Sequence, residues 1–264
     1  MLSEVLTFTF FILIGLEIRE GLNKPKDAIL PALAALGGMI FPALIFIAMI
    51  PGSDAWAVSM PTDVALAIGA LSILGKSVNP AVRLFLLTLA VADDFFSLVV
   101  IGIFFRQDLH LASAIYTLGA ATIGFLLPFR HRLIAILSPI ATFAIIPIYI
   151  FINLLTKLDF SLSTESIVTA VVVARVIGKV LGITLFTYLA TRFTSLKLPP
   201  ALDLKEIVGV GFLAGMGLTV SIVIAEITLQ TESELAQVRM GLFFAAILSG
   251  LLGLLWLKRF PASL

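Results

Sequence analysis

Residues 82–105, VRLFLLTLAVADDFFSLVVIGIFF, constrain the chain more than any other stretch. The run is apolar apart from Arg83, Thr88, Asp93, Asp94 and Ser97. As a helix it would measure about 36 Å, enough to cross a hydrocarbon core of about 30 Å. Asp93 and Asp94 then fall at its middle, where a carboxylate costs about 2.5 to 3.5 kcal/mol on insertion scales. Side by side they repel when both are ionised, so the pair is expected to exchange protons near neutral pH. Capping a helix break or lining a wet interface is the plainer reading. Depth and pairing favour the handling of ions or protons.

The rest of the chain agrees with a membrane setting. Of its 264 residues 60% are hydrophobic and only 12% charged, about half the charge of a soluble domain. No linker, low-complexity tract or acidic tail divides it, so residues 1–264 are expected to form a single membrane domain. There is no cysteine, which excludes a disulfide framework and thiolate-bound metal. The first apolar segment ends GLEIRE without a small-residue cleavage site and reads as a retained span.

Nine helices are predicted, over 3–18, 28–50, 55–74, 82–105, 111–128, 132–156, 166–190, 204–229 and 237–257. Turn residues separate them, as at Pro51-Gly52-Ser53-Asp54, Asn79-Pro80 and Pro199-Pro200. On one side the connections and span edges carry Arg19, Lys24, Lys26, Lys76, Arg83, Arg130, Arg132, Arg192, Lys197, Lys205, Lys258 and Arg259. The other side has Arg106, Lys157 and Arg239. Such asymmetry places the N-terminus outside and the C-terminus in the cytoplasm.

Two basic residues remain, Arg175 and Lys179, four apart on one face of the seventh span. Lys179 lies about 20 Å from the outer end of its helix and Asp93 about 19 Å from the outer end of its own. A lysine that deep is expected to meet a carboxylate rather than snorkel out. The third span carries Pro61-Thr62-Asp63 at mid-depth, and the eighth carries Gly209, Gly211, Gly215 and Gly217 before Thr219 and Ser221. Glycines alone more often mean close helix packing. Here two interrupted spans lie five helices apart, an odd number. Spans two to four (about 28–105) and seven to nine (about 166–257) would then be repeats of opposite orientation. Where half-helices meet, positive N-terminal ends favour Asp63 and negative C-terminal ends favour Lys179. One acid and one base would stabilise the crossing and leave Asp93 and Asp94 to hold either a hard cation or protons; Thr62 can add an oxygen. The fold class is thus an all-α integral membrane protein of about nine transmembrane helices, with an inverted three-helix repeat and two discontinuous crossing helices.

The stretches GLEIRE, AALGGMIFPAL, PTDVALAIGALSILG, FLLTLAVADDFFSLVVIGIFF, IGKVLGI and VGVGFLAGMGLTVSI closely resemble, in order, the NhaA family of bacterial Na+/H+ antiporters. The resemblance implies electrogenic exchange of Na+ or Li+ for protons across the bacterial inner membrane, with more than one proton moved per sodium ion and no cofactor. It implies that Asp93 and Asp94 bind the ion, that Thr62, Asp63 and Lys179 serve the crossing, and that Lys179 pairs with Asp93 when sodium is absent. Glu17 matches a glutamate linked to pH response.

The chain departs from the family pattern in length. It begins at what resembles the second of the family's usual twelve helices, and two short helices are missing between 129 and 138. Those parts belong to the scaffold and dimer-contact side, which leaves a homodimer and pH regulation open. Val180 stands where the family favours proline, and Arg175 and Glu226 add charge. Arg175 lies about 13 to 14 Å from the outer end of its helix and Glu226 about 4 to 5 Å from that of its own. The gap is near the limit of an outstretched arginine, which makes the two a candidate accessory pair. The alternative is Glu226 at the wet interface and Arg175 bordering the ion cavity.

Rival classes fit less well. A prenyltransferase needs a richer acidic motif than DDFFS and a second cluster. An intramembrane aspartyl protease needs facing carboxylates, whereas neighbours on one helix point about 100° apart. No nucleic-acid contact is indicated; the surroundings are the lipid bilayer. A passive proton or cation channel, or a family member without transport, would use the same groups. Obligatory coupling is what separates these from an exchanger.

Overall fold

The computed structural model describes residues 2–21, 25–75, 78–104, 111–127, 130–199 and 202–260. Among them, helical stretches stand at all nine expected places. They are α1 (Leu2–Gly21), α2 (Pro25–Met49), a broken third span ending in α3 (Val64–Ile73), α4 (Pro80–Phe104) and α5 (Leu111–Leu126). The sixth runs from α6 (Arg130–Ile140) through a π-helical turn into α7 (Ile146–Asn153). The seventh joins α8 (Ser166–Val173) to α9 (Lys179–Phe193) by a second π-helical turn, Ala174–Gly178. The eighth breaks between α10 (Leu204–Ala214) and α11 (Thr219–Thr228), and α12 (Glu232–Arg259) is the ninth. Four of these stretches are individually long and apolar enough to cross a membrane, and the α10–α11 pair, bent by 50°, makes a fifth. Leu44, Ile73, Leu84, Ile103 and Phe193 leave between 57% and 78% of their surface uncovered. Such a coat suits acyl chains and not water.

Both breaks follow from local chemistry. In the third span Ser53 Oγ accepts from Ala55 N at 3.3 Å and starts the 3-10 helix Asp54–Ser59. Pro61 then offers no N–H, and Asp63, in extended conformation, restarts the chain by accepting from Leu66 N at 3.3 Å. In the eighth span α10 begins with Glu206 Oε2 accepting from Asp203 N at 2.8 Å. It ends at a turn through Gly215 and Met216, beyond which Thr219 opens α11.

The breaks lie between two apolar cores. One gathers Ala57, Val58 and Met60 before the first break with Leu218, Ile222 and Val223 at and beyond the second. The other gathers Ala67 and Leu71 after the first break with Val210, Leu213 and Ala214 before the second. Polar groups collect between these layers. Close backbone contacts position them: a Cβ on Gly37 of α2 would strike Gly182 O of α9, and one on Gly182 would strike Gly37 O. Gly178 likewise faces the backbone of Pro42, its added Cβ 2.8 Å from Pro42 Cα. On the other flank Gly15 of α1 meets Ala121 O of α5, and Arg19 Nη1 donates to Phe125 O at 2.9 Å near the end of α5.

Candidate ion site at the crossing of two broken spans

Asp63 is the acid of the crossing. Its Oδ1 caps α3, while Oδ2 accepts from Thr219 N at 3.3 Å and from Thr219 Oγ1 at 2.6 Å. One buried carboxylate therefore sits on the positive ends of two half-helices, α3 and α11.

The negative ends are met by two cations. Arg175 lies in the π turn of the seventh span and is fully buried. Its Nη1 donates to Val58 O at 2.7 Å and to Ser221 Oγ at 2.8 Å. Nη2 donates to Pro61 O at 2.7 Å and Nε to Gly215 O at 3.1 Å. A single guanidinium thus joins carbonyls at both breaks. Lys179, one turn on and equally buried, has three N–H donors and meets three acceptors. Its Nζ donates to Met60 O, to Thr62 Oγ1 at 2.9 Å and to Asp93 Oδ2 at 3.1 Å. The π turn carries Arg175 and ends one residue before Lys179, so a short segment presents both cations beside a feature often found at functional sites.

On α4, Asp93 and Asp94 are buried beside this layer. Asp93 Oδ1 has no hydrogen-bond partner, and neither has the buried hydroxyl of Ser97, one turn further along. Helical threonines such as Thr88 and Thr187 donate to the carbonyl four residues back, at 2.9 and 2.7 Å. Ser97 does not. Among the described residues no three acidic or histidine side chains converge. A cation here would be held by the aspartates together with neutral oxygens, the ligand type of a hard ion.

Thr62, Asp63, Asp93 and Lys179 are therefore brought together, with Asp94 adjacent on α4. Two expectations are corrected. The crossing holds two bases rather than one, because four carbonyls, at Val58, Met60, Pro61 and Gly215, exceed what a single ammonium can serve. Nor do Arg175 and Glu226 pair. Arg175 turns into the crossing, and Glu226 lies 3.7 Å from Arg239, which also approaches Glu232 at 3.9 Å. The side chain of Glu17 lies outside the described residues. Sequence reading missed Thr219 as a partner of Asp63 and Gly217 as a spacer, whose added Cβ would strike Arg175 Nη2 and Pro61 O. Their place after a glycine-rich break was the available clue.

Crossed broken spans, neutralised by buried charges beside a carboxylate pair in an apolar helical bundle, define a cation-coupled secondary transporter. The chain matches the family described as Na+/H+ antiporter 1 over residues 1–132 and 117–257, and it belongs to that family. It is 30% identical to Na(+)/H(+) antiporter NhaA 2 of Aliarcobacter butzleri, over 96% of this chain and 80% of that protein. Identity is 32% to the NhaA antiporter of Actinobacillus pleuropneumoniae serotype 7, covering 94% and 79%, and 30% to that of Salmonella typhimurium, covering 97% and 82%. The aligned lengths, 314 to 319 residues, exceed the 264 of this chain, so these relatives carry segments without counterpart here. The family match itself divides at 117–132, and α6 begins four residues after α5 ends.

Proposed function

We propose that the chain exchanges Na+ or Li+ for protons across the bacterial inner membrane, electrogenically, through competition at Asp93 and Asp94. The observation that carries this reading is the bond from Lys179 Nζ to Asp93 Oδ2, opposite an Oδ1 that has no hydrogen-bond partner. In the sodium-free state Lys179 occupies the carboxylate. A cation arriving at Asp93 and Asp94 replaces the ammonium, which keeps Met60 O and Thr62 Oγ1 as acceptors. Protons leave as the ion enters, and return when it departs to the other side. Binding either ion or protons, never both, converts alternating access into exchange. The count of more than one proton per sodium ion balances if the displaced Lys179 ammonium gives up one proton and Asp94 gives up the other. The Lys179 amine then keeps two N–H groups for Met60 O and Thr62 Oγ1.

Spans two to four and seven to nine act in this reading as inverted repeats. The reciprocal contact of Gly37 with Gly182 supports the relation, since each meets the other's carbonyl as residues about a two-fold axis do. With the N-terminus outside, a reporter fused after Leu264 reads cytoplasmic; an external signal would reverse the orientation.

The deciding experiment uses purified protein in sealed, pH-sensitive vesicles. A sodium gradient should drive proton movement in the opposite direction, at a rate that depends on membrane potential. Proton movement without sodium, or sodium uptake without protons, would mean a channel. No movement of either would mean a family member that does not transport.

A further inference from the structure

Lys179 and Arg175 lie one turn apart in a region where each repels the other, so a second buried cation needs a cause. The four backbone carbonyls at the breaks are divided unequally. Arg175 takes Val58 O, Pro61 O and Gly215 O, spanning both breaks, and adds Ser221 Oγ on α11. Lys179 takes only Met60 O, and its other two acceptors are Thr62 and Asp93. Guanidinium keeps its charge at every physiological pH, while a buried ammonium readily gives up its proton.

We infer that Arg175 is a positioning residue that carries the permanent counter-charge of the crossing, and that Lys179 is thereby released from holding the fold together. In a crossing neutralised by Lys179 alone, any movement of its ammonium away from Met60 O would leave helix ends unopposed. Here the guanidinium stays bonded to both breaks whichever state Lys179 adopts. Gly217 fits this role, since any side chain there would displace Arg175 Nη2 from Pro61 O. The inference deepens the exchange mechanism above, but its main test does not require transport. The charged groups that act on Arg175 are Asp93 on α4, Asp63 at the crossing and Lys179 on its own span.

Thermal unfolding of the full chain in detergent tests the assignment. Arg175→Gln should lower Tm by about 10 °C or prevent folding. The double variant Lys179→Met with Asp93→Asn removes the exchanging charges together and should stay within about 3 °C of wild type. Equal losses in the two variants, or wild-type melting of Arg175→Gln, would overturn the proposal. A third variant, Arg175→Lys, keeps a cation but not its permanence. Its exchange activity in vesicles should fall away at a lower alkaline pH than that of wild type. An unchanged pH profile would show that a fixed charge is not what position 175 supplies. Loss of exchange in wild type would remove the transport reading while leaving the unfolding comparison intact.

Discussion

Thr219 gives both its backbone N–H, at 3.3 Å, and its hydroxyl, at 2.6 Å, to a single oxygen of Asp63, 156 residues away. The residue that opens one half-helix thus holds the residue that opens the other. Thr219→Val keeps the volume and the N–H but deletes the hydroxyl. A hydrogen bond to a charged group contributes about 1.5 to 3 kcal/mol. Unfolding in detergent should show a loss of that size. A variant as stable as wild type would mean that the backbone N–H groups of Leu66 and Thr219 hold the carboxylate without the hydroxyl.

Asp94→Asn retains shape and hydrogen-bonding capacity but cannot exchange a proton. Sodium-driven proton movement should disappear, with the protein still folded. Asp93→Asn should also abolish exchange and destabilise the chain as well, because Lys179 loses its buried partner, a change that commonly costs about 3 to 5 kcal/mol. Wild-type rates in either variant would remove that residue from the ion site.

Two glycines make a matched pair for substitution. At Gly217 a Cβ would enter the Arg175–Pro61 contact, whereas at Gly69 within α3 nothing lies within 4 Å of one. Gly217→Ala should destabilise by about 1 to 3 kcal/mol or more. Gly69→Ala should be neutral or stabilising by up to about 1 kcal/mol. Similar melting of both variants would show that the break has room to adjust.

The charges of Arg175 and Glu226 should be independent. A double-mutant cycle with Arg175→Gln and Glu226→Gln is expected to give additive losses within about 0.5 kcal/mol. The pair Glu226 and Arg239, at 3.7 Å with Glu226 about one-third exposed, should couple by about 0.2 to 1 kcal/mol. Larger coupling for Arg175 than for Arg239 would reverse the assignment made from the structure.

Much of this arrangement was legible in the order of residues. Pro61 and the run from Gly209 to Gly217 announce breaks because one lacks a donor and the others lack a side chain. Asp93 and Lys179 could be matched by depth, since rise per residue is nearly constant in a helix. Arg175 could not be placed that way. Its direction depends on the π turn at Ala174–Gly178, which changes the helical phase without marking the apolar pattern. The need to offset a second cation beside Lys179 therefore pointed to Glu226, while the carbonyls at the breaks, invisible in a list of side chains, decided the outcome. Thr219 escaped for a related reason: its partner lies in another span, and hydroxyls in helices usually bond locally.

The meeting of Gly37 with Gly182 bears on how this protein can change over time. Neither position has space for even a methyl group, and each is limited by the main chain of the other. A substitution at one cannot be rescued by trimming its neighbour, because there is nothing left to trim. Compensation would require α2 and α9 to separate, which would also move Pro42 from Gly178 and carry the Lys179 backbone away from Asp93. Drift in the lipid-facing residues around this seam is nearly free, yet at the seam the chain has a permitted alphabet of one letter.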